Sequence, residues 1–186
     1  MGDYWWAEEV VAVTVTWVNG LDLRQVGDLL GFVWPSERLA TFSEAEGQLD
    51  YDTEVYAIQV AEVGDWLVMV EPNGYLSSRP QTVEPLSRGG TAVSVFWNVN
   101  AVMSVAVARG GKLVREFDPL LFDAASSPGR GDRPPAELDL AFGQDGSDPR
   151  ALALEFAARL TGAGMEPAWL LEGTRRTWSA AGPAER

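Results

Sequence analysis

The chain has 186 residues, 46% of them apolar and 22% charged, a size and composition that suit one globular domain with its own core. Twenty-seven acidic against 14 basic side chains give a formal charge of −13, so the surface repels phosphate backbones and anionic membranes and no nucleic-acid partner is expected. Cys and His are absent and Lys112 is the single lysine, which removes disulfides, thiolate and imidazole catalysis and the commonest transition-metal ligands.

No stretch approaches the roughly 20 apolar residues of a membrane helix. The opening Met1-Gly2-Asp3-Tyr4-Trp5-Trp6 lacks the basic region of a secretory signal, so a cytoplasmic protein without membrane contact is expected.

In chain order, residues 10–18 alternate, with Val11, Val13, Val15 and Trp17 on one face and Thr14 and Thr16 on the other, as in a half-buried strand. Asn19-Gly20 turns the chain. Asp22 is placed as a helix N-cap, Gln25 completes a capping box, Leu21 staples onto Val26, and Gly31 ends the helix. Ser43 and Glu46 repeat the capping-box spacing and predict a short helix over 43–49. Asp50, Asp52 and Glu54 alternate at the entry to a strand over 55–63. They are the nearest approach to a calcium loop, but the glycine and distal glutamate of an EF-hand are missing, and no metal site is assigned.

Residues 65–118 carry the most regular pattern. Gly64-Asp65 turns the previous strand into one where Trp66, Val68 and Val70 face one way and Leu67, Met69 and Glu71 the other. Pro72 stops it because proline cannot donate to a ladder. Asn73-Gly74 turns, and Ser78 with Gln81 predicts a short capped helix that Pro85 kinks and Gly89-Gly90 closes. The run 91–100 alternates so that Val93, Val95, Trp97 and Val99 share one face and Ser94, Phe96, Asn98 and Asn100 the other. Residues 102–108 follow as a strand and turn at Arg109-Gly110-Gly111-Lys112 into a hairpin. These short connections predict an α+β domain: an antiparallel sheet of about six strands, with about three to four helices packed mainly on one face.

Beyond it, residues 123–135 are rich in Gly, Pro and Ser and predict a flexible loop. Asp148 caps a helix with Pro149 at its first position, and Leu152, Phe156 and Leu160 form its apolar stripe. One domain over 1–172 is expected, with 173–186 as a frayed tail.

Asp65-Trp66, Glu71-Pro72-Asn73-Gly74, Ser78-Arg79-Pro80, Leu86-Ser87-Arg88-Gly89-Gly90, the run from Val93 to Ala101 and Phe117-Asp118-Pro119 together resemble an uncharacterised bacterial domain-of-unknown-function family. The likeness spans residues 9 to 123 and, weakly, the helix after 148. It implies no activity, since none is assigned to that family, and bears on boundaries alone.

No catalytic residue and no cofactor motif can be named. Neither Gly89-Gly90 nor Gly110-Gly111 opens a helix after a strand, as a phosphate cradle requires. The candidate binding residues are Glu71, Asn73 and Arg79, which flank one turn, with Asn98 and Asn100 on one strand face. Each also has a structural use: Asn73-Gly74 suits a turn, and an Asn satisfies its own backbone where a strand bends. Trp17, Trp66 and Trp97 belong to strand faces and to the core. Trp5, Trp6 and Trp178 lie outside the periodic elements; exposed, they suit a protein interface, and the alternative is that these terminal side chains fold back on the core.

Two readings of the charge compete, a solubility feature with no partner and an acidic face for a basic partner protein. The functional expectation is a non-enzymatic cytoplasmic protein-interaction module, immunity-like or regulatory, that binds another protein through an acidic face. The alternative is a small-ligand-binding domain or carboxylate enzyme using Glu71 with Asn73, Arg79, Asn98 and Asn100. In that reading Glu71 needs a raised pKa to act as a base.

Overall fold

The computed structural model describes residues 4–48, 55–121, 129–132, 140–144 and 146–181. Its strands are β1 (Val13–Val18), β2 (Arg38–Ala40), β3 (Tyr56–Val63), β4 (Trp66–Pro72), β5 (Thr91–Trp97), β6 (Met103–Arg109), β7 (Lys112–Phe117) and β8 (Arg175–Ala180). Its helices are α1 (Leu23–Leu30), α2 (Phe42–Glu46), α3 (Pro80–Leu86), α4 (Pro149–Thr161) and α5 (Ala168–Leu171). The strands form one sheet in the order β2-β8-β3-β4-β1-β5-β6-β7, antiparallel at every pairing. The α+β class is as the turn lengths predict.

β1 is the axis of the sheet. Val15 lies between Val70 and Val95, and Trp17 between Val68 and Val93, so the alternating valines and tryptophans of three strands fall on one face. Phe156, Ala153 and Ala157 of α4 cover that face, together with Trp6 from a 3-10 turn over Trp5–Glu8. Phe42 of α2 and Trp169 of α5 pack on the same layer. On the opposite face Val18, Leu67, Met69, Ile58 and Val60 lie beneath Val26 and Leu30 of α1 and Val83 and Leu86 of α3.

Helices therefore flank both faces rather than mainly one. The alternation suggests a polar face that needs no cover, yet all six residues of β1 are buried. Thr14 and Thr16 tolerate this because their hydroxyls are bonded inside the protein.

The sheet has eight strands rather than about six. β2 is three residues long, too short to show a period. β8 falls in the tail expected to be frayed, where it pairs with both β2 and β3. Its polar-looking sequence hides Trp178, which is fully buried and stacked on Phe32 at 5.4 Å between ring centroids. Trp6 is buried as well, so of the three tryptophans outside the predicted elements only Trp5 is exposed.

Local signals hold where one residue type satisfies one backbone need. The Asp22–Gln25 capping box starts α1, and Gly31 ends it in the left-handed region at φ 71°. Asp148 caps α4 with Pro149 at its first turn. They fail where the same spacing recurs nearby. The α2 box is formed by Thr41 and Glu44, which lets Phe42 reach the core, rather than by Ser43 and Glu46. α3 starts at Pro80, and the Ser78 hydroxyl donates back to the Tyr75 carbonyl instead of capping it.

Within the predicted flexible loop, Arg130 is bridged to Glu116 on the outer edge of β7 by two backbone hydrogen bonds of 2.7 and 2.9 Å. Gly131 permits this approach, since a Cβ there would strike the Val114 carbonyl. Residues 123–128 and 133–135, and Asp50, Asp52 and Glu54, lie outside the described residues. No described helix is long and apolar enough to cross a membrane.

Candidate functional site

Glu71 stands opposite Thr14 in the β1–β4 register and is fully buried. Past Pro72 the chain turns at Asn73, whose φ is 55° and whose N–H donates to the Ala12 carbonyl at 2.9 Å. Residues 74–79 then fold back over the carboxylate. Its Oε2 accepts the Leu76 N–H at 2.8 Å, and its Oε1 accepts the Ser77 N–H at 2.8 Å together with a short hydrogen bond from the Ser77 hydroxyl. Thr16 Oγ1 lies 2.8 Å from Ser77 Oγ and donates to Ser94 Oγ at 3.0 Å, while the Thr14 hydroxyl donates to the Gly74 carbonyl at 2.7 Å.

Burial pushes the Glu71 pKa above the ordinary carboxylate value, and the Ser77 and Leu76 donors pull the other way. A general base has to reach a substrate proton, whereas both oxygens here are engaged by the turn above them. Arg79 is directed elsewhere: its guanidinium lies 4.3 Å from the centre of the Tyr75 ring and donates to the Tyr56 hydroxyl at 3.3 Å. The Glu71 carboxyl group thus organises the turn over Leu76–Ser78 from inside the protein.

The other end of the central motif behaves differently. β5 stops at Trp97, whose indole N–H donates to the Val10 carbonyl at 2.7 Å. Asn98 and Asn100 therefore leave the strand face on which alternation places them. The Asn98 side-chain oxygen accepts the N–H groups of Asn100 at 2.9 Å and Val102 at 3.2 Å, and its own N–H donates to the Val102 carbonyl at 3.1 Å. The closed loop forces Ala101 to φ 54°, a left-handed conformation that costs a non-glycine residue about 1–2 kcal/mol. Val99 and Val102 are left in solvent, Val99 at 68% exposure.

A second turn repeats the arrangement beyond β7. Asp118 Oδ1 accepts the Leu120 N–H at 2.8 Å and the Asp118 carbonyl accepts the Leu121 N–H at 3.2 Å. Leu120 and Leu121 are exposed, Leu121 at 72%.

Between these turns and the start of α4 lies a cleft of about 450 Å³. Trp97 and Met103 form buried parts of its wall, Val11, Val99 and Leu120 its exposed apolar edge, and Glu8, Asp148 and Arg150 its charged side. Asp148 Oδ1 accepts the Arg150 backbone N–H at 3.0 Å and its Nε at 3.1 Å.

Of the five residues singled out in the sequence, only Asn98 lines this cleft. Asn73 and Asn98 do stand at the same end of the sheet, because Val13 pairs with both Pro72 and Trp97. Glu71, however, faces the opposite layer and is sealed there. The cleft residues Val11, Val99, Leu120 and Asp148 escape sequence reasoning, since the first two read as strand positions and the third follows a proline. The available signal is Asn98-Val-Asn-Ala-Val102, an apolar segment interrupted by two asparagines. No group of three or more acidic side chains among the described residues could hold a metal ion.

Fold and site together define an eight-stranded antiparallel α+β domain with an apolar cleft at one end of its sheet. The chain belongs to DUF6461, a family of unknown function whose model matches residues 1–174. No curated protein and no solved structure matches it.

Proposed function

We propose that the protein is a non-enzymatic, cytoplasmic interaction module, immunity-like or regulatory, that binds a protein partner at the end of the sheet carrying the cleft. One observation carries this reading. Val11, Val99, Val102, Leu120 and Leu121, five of the nine large apolar side chains exposed among the described residues, belong to the segments that form this end.

Scattered exposed aliphatics are ordinary, but a cluster is not. Here the two loops are also fixed by their own hydrogen bonds, so little conformational entropy is left to lose when a partner covers them. The cleft volume falls within the usual range for ligand pockets, about 300–1,000 Å³, enough to take one or two partner side chains. The net charge of −13 favours a basic partner and steers its approach. A carboxylate enzyme at Glu71 lacks such support, because the carboxylate is sealed and its oxygens are occupied.

The test is affinity capture from native extract at low salt with three immobilised chains: wild type, a Val99→Asp/Leu121→Asp double variant, and a Val33→Asp control. Val33 is exposed away from the cleft. A protein retained by wild type and the control but released by the rim variant is expected. Identical retention by all three chains, or no retained protein, counts against the proposal.

A further inference from the structure

Two carboxylates, Glu8 and Asp148, line the cleft against one guanidinium, Arg150, and that guanidinium is already committed through Nε to Asp148 Oδ1 at 3.1 Å. The second oxygen, Asp148 Oδ2, is buried and meets no donor among the described residues. Glu8 is exposed and stands at the cleft mouth with no ion pair among those residues. Beside this surplus of negative charge lies an apolar wall of Trp97, Met103 and Leu120. The cleft therefore offers adjoining subsites of two kinds, one aliphatic and one anionic.

The occupant must match both. A second copy of this chain brings another charge of −13 and the same carboxylates, so self-association is disfavoured. Phosphorylated or acidic segments are repelled for the same reason. We propose that the cleft takes a linear segment of a partner protein in which a Lys or Arg adjoins an aliphatic residue. The aliphatic side chain packs on Trp97 and Met103, and the cation meets Glu8, with the Asp148 carboxylate adding to the negative potential behind it. This inference rests on the interaction reading above and adds the chemistry of the partner. Partial exclusion of water beside the apolar wall strengthens the charge contact relative to one on open surface.

Asp148 allows the charge to be separated from the fold, because asparagine caps a helix about as well as aspartate. Asp148→Asn removes the carboxylate and keeps the N-cap of α4, and Glu8→Gln removes the other charge from an exposed position. The experiment selects a phage-displayed library of random linear peptides on the intact chain. The dissociation constant of a selected synthetic peptide is then measured for wild type, the Glu8→Gln/Asp148→Asn variant and Val99→Asp, each first shown by melting to be folded.

Selected sequences should pair Lys or Arg with a neighbouring aliphatic residue. The charge variant should bind about tenfold more weakly, and Val99→Asp should abolish binding. Peptides that bind through Val99 but lack a basic residue, or that ignore the charge variant, overturn this inference and leave the interaction reading standing. If no peptide is selected, or if binding is indifferent to Val99→Asp, both fall. Should the double variant melt early, Glu8→Gln alone carries the same comparison with a smaller expected loss.

Discussion

Beneath residues 74–79, Glu71, Thr14, Thr16 and Ser94 are all buried on a sheet face where aliphatic side chains usually sit, and Ser77 of the turn is buried with them. At the end of the same sheet Val11, Val99, Val102, Leu120 and Leu121 stand in solvent. Both regions invert the ordinary partition of polar and apolar side chains, but only the first is resolved within the chain. Each Glu71 oxygen has donors from the turn above it, and the hydroxyls around it bond to one another and to the Gly74 carbonyl. The exposed apolar residues have no such closure. Their loops are held in place by Asn98 and Asp118, yet the side chains they present stay exposed among the described residues. A satisfied buried polar cluster specifies a fold, whereas the exposed apolar surface is where we propose that a partner docks.

The comparison is broken most forcefully at Trp97, which belongs to the core layer and to the wall of the cleft. Trp97→Ala should lower stability by about 3–5 kcal/mol in chemical denaturation. A midpoint close to that of wild type would show that the packing assigned to β5 is wrong.

Next in size is Glu71→Gln, which keeps the shape but sets an amide donor against the N–H groups of Leu76 or Ser77. The expected loss is about 1–3 kcal/mol near the acid end of the stability profile, with no effect on partner capture. The pH dependence carries a definite sign. The folded pKa of Glu71 is raised by burial, so the folded state holds this proton more tightly than the unfolded chain does. Its contribution is fully present below the unfolded value of about 4.3 and is lost as pH rises through the folded pKa. Wild type should therefore lose stability relative to Glu71→Gln across that window, and denaturation curves taken at successive pH values that show the gap widening would contradict the assignment.

Asn98→Ala separates loop geometry from loop chemistry. Without the carboxamide the N–H groups of Asn100 and Val102 turn to water, which should cost about 1 kcal/mol and raise the amide exchange rates of both residues. Partner capture should weaken as the loop that presents Val99 loosens. The smallest effect is expected from Val99→Ser, within about 0.5 kcal/mol of wild type, together with a clear loss of capture.

Much of the fold is legible because strand alternation and caps are local. Asp22 with Gln25, Asp148 with Pro149 and the glycines of the β6–β7 turn each answer to a backbone need a few residues away. β8 is not legible, because Arg175-Arg-Thr-Trp-Ser-Ala180 becomes a strand only when β2 and β3, distant in sequence, offer their edges. The candidate site follows the same rule. Glu71, Asn73, Arg79, Asn98 and Asn100 are conspicuous as polar groups, but their partners are decided by the turn after β4 and the loop after β5. The exposed rim is hidden for the opposite reason: Val11, Val99 and Val102 continue the alternation of adjacent strands, and only the end of hydrogen-bonded pairing at Val13 and Trp97 leaves them outside.

The claim that this rim is the binding surface is tested most directly by photo-cross-linking in native extract from a benzophenone side chain at position 99, with the same group at position 33 as reference. A discrete protein adduct should form from position 99, be absent from position 33, and disappear when Leu121→Asp is added to the chain that carries the probe. Equal adducts from both positions, or none from position 99, would contradict the account.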